Sequence, residues 1–327
     1  MLYRFLAFLF TFLLPSLGLA AETCFKFFPK SYRIVEGHHA YAVAKDRFVS
    51  FGCPAGKRIV AQDRLKGLCL FEDAANHPFY LGDPEPPLHF CPSRTMRYVK
   101  IRSYPYAIYP GRLVKGVGRE GAIFGECCEW VGITDAQGRW FDSEAIRKLL
   151  RKKTYHGDIG LRFGKRKGVP VVSAVDPFAG LSVRPKERVL AVGDTRHPTP
   201  RRLAEAIDGC RAGGKLVLVF ENGGRKRREN LLCFERFGGG KVSDTFLERF
   251  GLRFAKGLVI TEIDPEGAAY RRGLRRGDRL LAIDGERVGD EEDVRKILTR
   301  YAAGKSVPER MLWERDAFQF FLPLPEI

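Results

Sequence analysis

The stretches "IGLRFGK" at 159–165 and "FGLRFAK" at 250–256 carry the same Gly-Leu-Arg-Phe tetrad. Laid over each other outward from the tetrads, residues 157–236 and 248–324 keep matching. "GVPVVSAVDPFAG" (168–180) falls on "GLVITEIDPEGAA" (257–269), "RVLAVGDTRH" (188–197) on "RLLAIDGERV" (279–288), and "TPRRLAEAI" (199–207) on "DEEDVRKIL" (290–298). Near the ends, "GKLVLVFENGG" (214–224) falls on "ERMLWERDAF" (309–318). Each copy reads as a glycine loop, a strand, a turn, a second strand, an amphipathic helix and a closing hairpin. A repeat at domain length means two copies of one module. Between them, residues 237–247 read as a Gly-rich linker that lets the modules reorient.

The second copy resembles bacterial PDZ domains, such as those attached to periplasmic high-temperature-requirement serine proteases. The residues that carry the resemblance are "RFGLRF" (249–254), "VITEIDPEGAAYRRGLRRGDRLLAIDGERV" (259–288) and "DEEDVRKIL" (290–298). The first copy departs further: it is three residues shorter after "DPFAG" and has "SVRPKE" where the second has "GLRRGD". The resemblance implies two partly open β-barrels, each with a groove-lining helix. In such a module an apolar-Gly-apolar loop turns backbone N–H groups toward a peptide's C-terminal carboxylate, and the peptide adds a strand beside the one leaving the loop. Glycine lets the backbone approach without Cβ interference. Carried onto this chain, Phe250, Gly251 and Leu252 form the loop, Arg253 and Phe254 begin the docking strand, and Val294 and Ile297 face the groove. The weaker counterparts are Ile159, Gly160, Leu161, Arg162, Phe163, Leu203 and Ala206. Arg249 beside the second loop attracts a carboxylate and Asp158 beside the first repels one, so the second groove is the expected binder.

Ahead of the repeat, residues 1–20 read as a secretory signal: a basic start ("MLYR"), an apolar run ("FLAFLFTFLL") and small residues before a cut after Ala20 or Ala21. Residues 5–21 fall short of the roughly 20 apolar residues that span a bilayer, so an exported soluble protein is expected rather than an anchored one. Eight cysteines suit an oxidising compartment. The disulfide candidates are Cys24, Cys53, Cys69, Cys91, Cys127, Cys128, Cys210 and Cys233, pairing within their own regions. If "AIFGECCEWVGI" (122–133) is one strand, Cys127 and Cys128 point to opposite faces and tie it to two neighbours. Residues 22–142 read as a cysteine-rich β domain of short alternating runs. "DSEAIRKLLRKK" (142–153) reads as a helix capped by Asp142 or Ser143, within a linking segment 143–156. Residues 157–236 and 248–327 are then the two modules, and the fold class is α+β, mostly β.

The formal charge of +17 sits mainly in the middle of the chain, in "RKKTYHGDIGLRFGKRKG" (151–168) and "NGGRKRREN" (222–230). Such runs are ordinarily solvated tips, or attach to an anionic membrane surface. Nucleic acid does not suit an exported chain. Catalytic words are scarce. No serine stands in G-x-S-x-G. "GVGREG" (116–121) is followed by a strand pattern where a dinucleotide site needs a helix. His38 and His39 beside oxidised cysteines do not make a metal site, and no cofactor is expected. The residues alone favour a non-enzymatic interaction protein, an envelope scaffold or adaptor for protein C-termini or extended peptides of envelope proteins. The alternatives are a subunit of a secretion or envelope assembly, and a protease or thiol oxidoreductase with its site in the N-terminal domain.

Overall fold

The computed structural model describes residues 28–324, apart from 76, 93–95, 127 and 305. The secretory signal, Cys24 and Cys127 lie outside the described residues. The chain divides into two compact units, Met1–Thr154 and Tyr155–Ile327. Short runs of alternating apolar residues make both units mostly β, since alternate side chains along a strand face opposite sides of a sheet.

In the N-terminal unit, β1 (Tyr32–Val35), β2 (His38–Ala44), β3 (Arg47–Phe51), β4 (Ile59–Asp63) and β5 (Leu68–Glu72) form one sheet in the order β1-β2-β3-β5-β4. The second sheet comprises β6 (Leu88–Cys91), β7 (Arg97–Val99), β8 (Ile101–Ser103), β9 (Gly111–Leu113), β10 (Gly121–Phe124), β11 (Trp130–Thr134) and β12 (Arg139–Asp142), in the order β7-β6-β10-β11-β12-β9-β8. Tyr41, Val49, Leu68 and Leu70 from the first sheet share a core with Ala122, Phe124, Trp130, Ile133 and Phe141 from the second. Helix α1 (Ser143–Leu150) adds Ala145, Ile146 and Leu149 to that core, so it belongs to the N-terminal unit rather than linking two domains. Its cap is as expected: the Asp142 carboxylate accepts from the Ala145 N–H at 3.1 Å.

"AIFGECCEWVGI" is not one strand. β10 ends at Phe124, the Gly125 N–H donates to the Glu129 carbonyl at 3.0 Å, Cys128 takes φ +68°, and β11 returns antiparallel. Glycine and a left-handed cysteine make a hairpin there, which removes the argument from opposite faces. Cys53–Cys69 and Cys210–Cys233 are disulfides, and Cys128 is also disulfide-bonded. Cys91 is buried in the N-terminal core.

In the C-terminal unit the repeat is a repeat of topology. The first copy holds β13 (Gly157–Asp158), β14 (Leu161–Arg166), β15 (Val169–Val175), β16 (Arg188–Val192), β17 (Thr195–Arg196), α2 (Pro200–Asp208), β18 (Lys215–Asn222), β19 (Arg225–Leu232) and β20 (Phe234–Glu235). The second holds β21 (Leu252–Ala255), β22 (Val259–Ile263), α3 (Ala268–Arg271), β23 (Arg279–Ile283), β24 (Glu286–Arg287), α4 (Glu291–Gly304), β25 (Arg310–Arg315) and β26 (Phe318–Pro323). The orders β14-β15-β16-β18-β19 and β21-β22-β23-β25-β26 are the same, with β17 and β24 each hung on the third strand.

The two copies are packed together. Ala174 of β15 joins the core of the second copy and Ala302 of α4 joins that of the first. The Thr299 hydroxyl accepts from the Val175 N–H at 3.0 Å. Residues 237–247 do not behave as a slack tether. Gly239 and Gly240, at φ +105° and +67°, fold the chain back so that the Gly239 N–H donates to the Ser243 carbonyl at 2.9 Å. Ser243 and Thr245 are buried. The glycines serve a tight turn rather than freedom of the modules.

Candidate peptide groove

β21 ends its sheet, and α4 contributes Val294, Ile297 and Leu298 to the core that also holds Phe250, Leu252 and Phe254. The loop ahead of β21 is a 3-10 turn, Leu247–Phe250, closed by Gly251. Its start is fixed by a capping pattern: Glu248 accepts from the Thr245 N–H at 2.9 Å and from the Thr245 hydroxyl at 3.0 Å. Burial raises the Glu248 carboxyl above its ordinary range.

Gly251 has φ +87°, and a Cβ there would lie 2.8 Å from the Asp264 Cβ and 3.3 Å from the Gly267 Cα. Gly160 repeats this at φ +73°, with the Ala179 Cβ at 2.6 Å. Both glycines are therefore required by the close approach of the chain's own following turn, before any ligand arrives.

Arg249 does not face the groove. Its guanidinium lies 3.3 Å from the Asp176 carboxylate and over the rings of Phe178 and Phe234, at 5.5 and 5.2 Å. With Phe250 it lines a hollow of about 740 Å³ that Phe178, Leu181 and Phe234 also border. Burial pushes the Asp176 carboxyl up to about 6, against the lowering effect of Arg249. An Asp pKa raised on folding means that the native state holds a proton the unfolded chain has released between about pH 4 and 6, so this group's contribution to stability falls as pH rises through that window. A carboxyl-carbon NMR titration of Asp176 is expected to show a midpoint near 6; one near 4 would contradict the burial.

Arg253 turns back on the loop, donating to the carbonyls of Leu252 and Glu248 at 2.6 and 3.2 Å. In the first copy Ile159, Leu161 and Leu203 are buried, with Phe163 and Ala206 packed against them. There Asp158 does more than repel a carboxylate. Its Oδ1 accepts from the N–H groups of Ile159 and Gly160 at 2.7 and 2.9 Å and is held by Arg162 at 3.0 Å. The loop amides of the first copy are therefore already filled by a carboxylate of the chain itself.

Sequence reasoning missed Ser243, Asp244, Glu248 and Arg295. The Ser243 hydroxyl accepts from the Phe254 N–H at 3.1 Å, and Asp244 is gripped through both carboxylate oxygens by Arg162. The T-x-x-E pattern of 245–248 is the one sequence signal that points to this segment. Elsewhere in the unit, His156 Nδ1 lies 2.6 Å from Asp208 Oδ1. That ring is buried, so the pair braces β13 against the end of α2.

Residues 259–308 match the PDZ domain family, and this is a PDZ domain of the bacterial type. A Brucella suis biovar 1 protein named as a DegP-like periplasmic serine endoprotease is 25% identical over 222 residues, covering 58% of this chain and 43% of that relative. A Ralstonia nicotianae protein named as a zinc metalloprotease is 32% identical over 142 residues, covering 40% of this chain and 30% of its own length. The chain thus spans less than half the length of the Brucella relative. Among solved structures, an HtrA-type protease, AlgW with tripeptide, matches with a TM-score of 0.53 at 13% identity, covering 66% of this chain and 97% of that one. This is a likeness of fold. It spans more of the chain than Tyr155–Ile327 alone provides, so it reaches into the N-terminal unit. The expectation of a non-enzymatic scaffold or adaptor is overturned by these relatives, which are named as proteases.

Proposed function

We propose that this chain takes part in the proteolysis of exported polypeptides, with the PDZ module at 248–327 recognising an extended or C-terminal peptide segment and the hydrolytic centre in the N-terminal unit. The observation that carries this reading is the reach of the protease fold match into that unit. Support for the peptide half comes from the groove between β21 and α4, where an end strand lies beside a helix with an apolar face, the arrangement that strand addition uses. Phe250, Gly251, Leu252, Arg253, Phe254, Val294 and Ile297 remain the proposed groove residues, while Arg249 acts on the Asp176 side.

The shared strand order supports reading residues 157–236 as a second PDZ module. Its role is structural, because Asp158 takes up the loop amides that a ligand's carboxylate would need. Export to the periplasm fits relatives named as periplasmic; among the described residues no helix is long and apolar enough to cross a membrane. Since the chain has no serine in G-x-S-x-G, the nucleophile sits in a different local setting. Cleavage of fluorescein-labelled unfolded casein, together with mapping of a fluorophosphonate adduct to one serine, tests the reading. Cleavage with an adduct in the N-terminal unit is expected, and intact casein with no adduct counts against it.

A further inference from the structure

The docking edge of the PDZ module is not bare. Ser243 takes the Phe254 N–H of β21 at 3.1 Å, as a strand-adding peptide's carbonyl would. One residue on, the Asp244 N–H donates to Glu291 of α4 at 3.0 Å, and Arg295 of the same helix donates to the Asp244 carbonyl. The segment therefore touches both walls of the groove, the strand and the helix. Phe246 is buried among Phe254, Val294 and Ile297 in the module's core cluster. From Ser243 beside Phe254 the chain runs to Leu247–Phe250, the loop that precedes Leu252. It is thus antiparallel to β21, the sense an added strand takes in an antiparallel pair.

Side chains from the first copy hold it there. Arg162, from the first tetrad, binds the Asp244 carboxylate with its Nε at 2.9 and 2.8 Å and its Nη2 at 2.7 Å, while Arg236 approaches at 3.4 Å. The Arg162 guanidinium also lies over the Phe246 ring at 4.8 Å. Burial by itself would raise the Asp244 carboxyl, but Arg162 outweighs it and holds the group below the usual carboxylate range. A bidentate, charge-assisted pair of this kind fixes geometry as well as adding energy.

We propose that Ser243–Phe246 is a built-in ligand of the PDZ groove, and that the peptides which displace it share its chemistry: an acidic residue two positions before an aromatic C-terminal residue. The inference rests on reading this groove as the peptide site. The acidic position is read by arginine, the aromatic one by the apolar pocket under α4, and the tetrad arginine of the first copy acts as the latch.

The test uses the full chain and the fluorescein-labelled peptide Lys-Val-Ser-Asp-Thr-Phe with a free carboxylate, followed by fluorescence polarisation. Two variants open the latch, Asp244→Asn and Ser243→Ala; the second removes only a hydroxyl and is expected to fold. Each is expected to bind the peptide roughly tenfold tighter than wild type, the upper end of one lost neutral hydrogen bond for Ser243→Ala and the lower end of one to a charged group for Asp244→Asn. The Phe254 amide should exchange with solvent faster in the free variants and recover protection when peptide is added. Equal affinity in all three proteins with unchanged Phe254 exchange would overturn the built-in ligand while leaving peptide recognition standing. Binding to none of them, with Phe254 exchange accelerated, would overturn the groove as a peptide site and the inference with it.

Discussion

Trp130→Ala is expected to destabilise the N-terminal unit by about 3–5 kcal/mol, the range for removing a fully buried large aromatic side chain. Trp130 has no exposed surface, and its ring packs at 5.4 Å from Tyr41 and 6.0 Å from Phe79. Its Nε1 donates to the Gly132 carbonyl at 2.6 Å, so truncation also leaves that carbonyl without its indole partner. Tyr41 comes from β2 and Trp130 from β11, which makes the indole a joint between the two sheets. Total stabilities of about 5–15 kcal/mol leave little reserve for such a loss. Tyr98→Ala is the control, because that side chain is 54% exposed and its removal should stay within about 0.5 kcal/mol. Urea denaturation followed by near-ultraviolet circular dichroism measures both. A Trp130 loss under 1 kcal/mol would mean that the two sheets do not share a core.

Gly251→Val is expected to abolish peptide capture by the PDZ module and to lower its stability. Two effects add at this position. A left-handed backbone costs a residue with a Cβ roughly 1–2 kcal/mol, and valine's branching makes this worse. The new Cβ would also meet Asp264 at 2.8 Å, too close to be relieved without moving the turn. Gly257 separates the two effects: at φ +78° it has nothing within 4 Å of an added Cβ. Gly257→Ala should therefore show only the backbone strain and keep its peptide affinity. Fluorescence polarisation with a C-terminal peptide, beside thermal melts of both variants, distinguishes them. Equal losses in the two variants would show that the contact with Asp264 does not matter.

The repeated topology of the C-terminal unit and helix α1 of the N-terminal unit were legible because their signals are local. A glycine that must adopt positive φ, a strand-turn-strand alternation and an Asp142 cap each declare themselves within a few residues. The N-terminal unit was legible as β-rich but not as a topology. Its second sheet places β10 beside β6 and β9 beside β12, pairings between strands far apart in the chain that no short window encodes. The hairpin at 122–133 was misread for a related reason: Cys128 takes a left-handed conformation that its residue type does not advertise.

The strand and helix of the proposed groove, β21 and α4, could be read from the sequence, yet the segment that lies against them could not. Residues 237–247 look like a linker by composition. Only the fold brings Arg162 and Asp244 together across 82 positions and sets Ser243 on the edge of β21. Arg249 failed in the opposite direction. Its charge beside the loop suggested a carboxylate partner, and it has one, but that partner is Asp176 of the first copy. The expectation of a non-enzyme rested on the lack of a short nucleophile motif, whereas the sequence likeness to relatives named as proteases is spread along the chain, over 222 residues for the Brucella protein.

Casein hydrolysis by the purified full chain addresses the proteolytic reading most directly, with fluorophosphonate mapping run on the same sample. Proteolysis served by a PDZ module predicts cleavage, a single adduct on a serine of the N-terminal unit, and loss of cleavage when that serine is replaced by alanine. Casein left intact, with no serine modified, would contradict it.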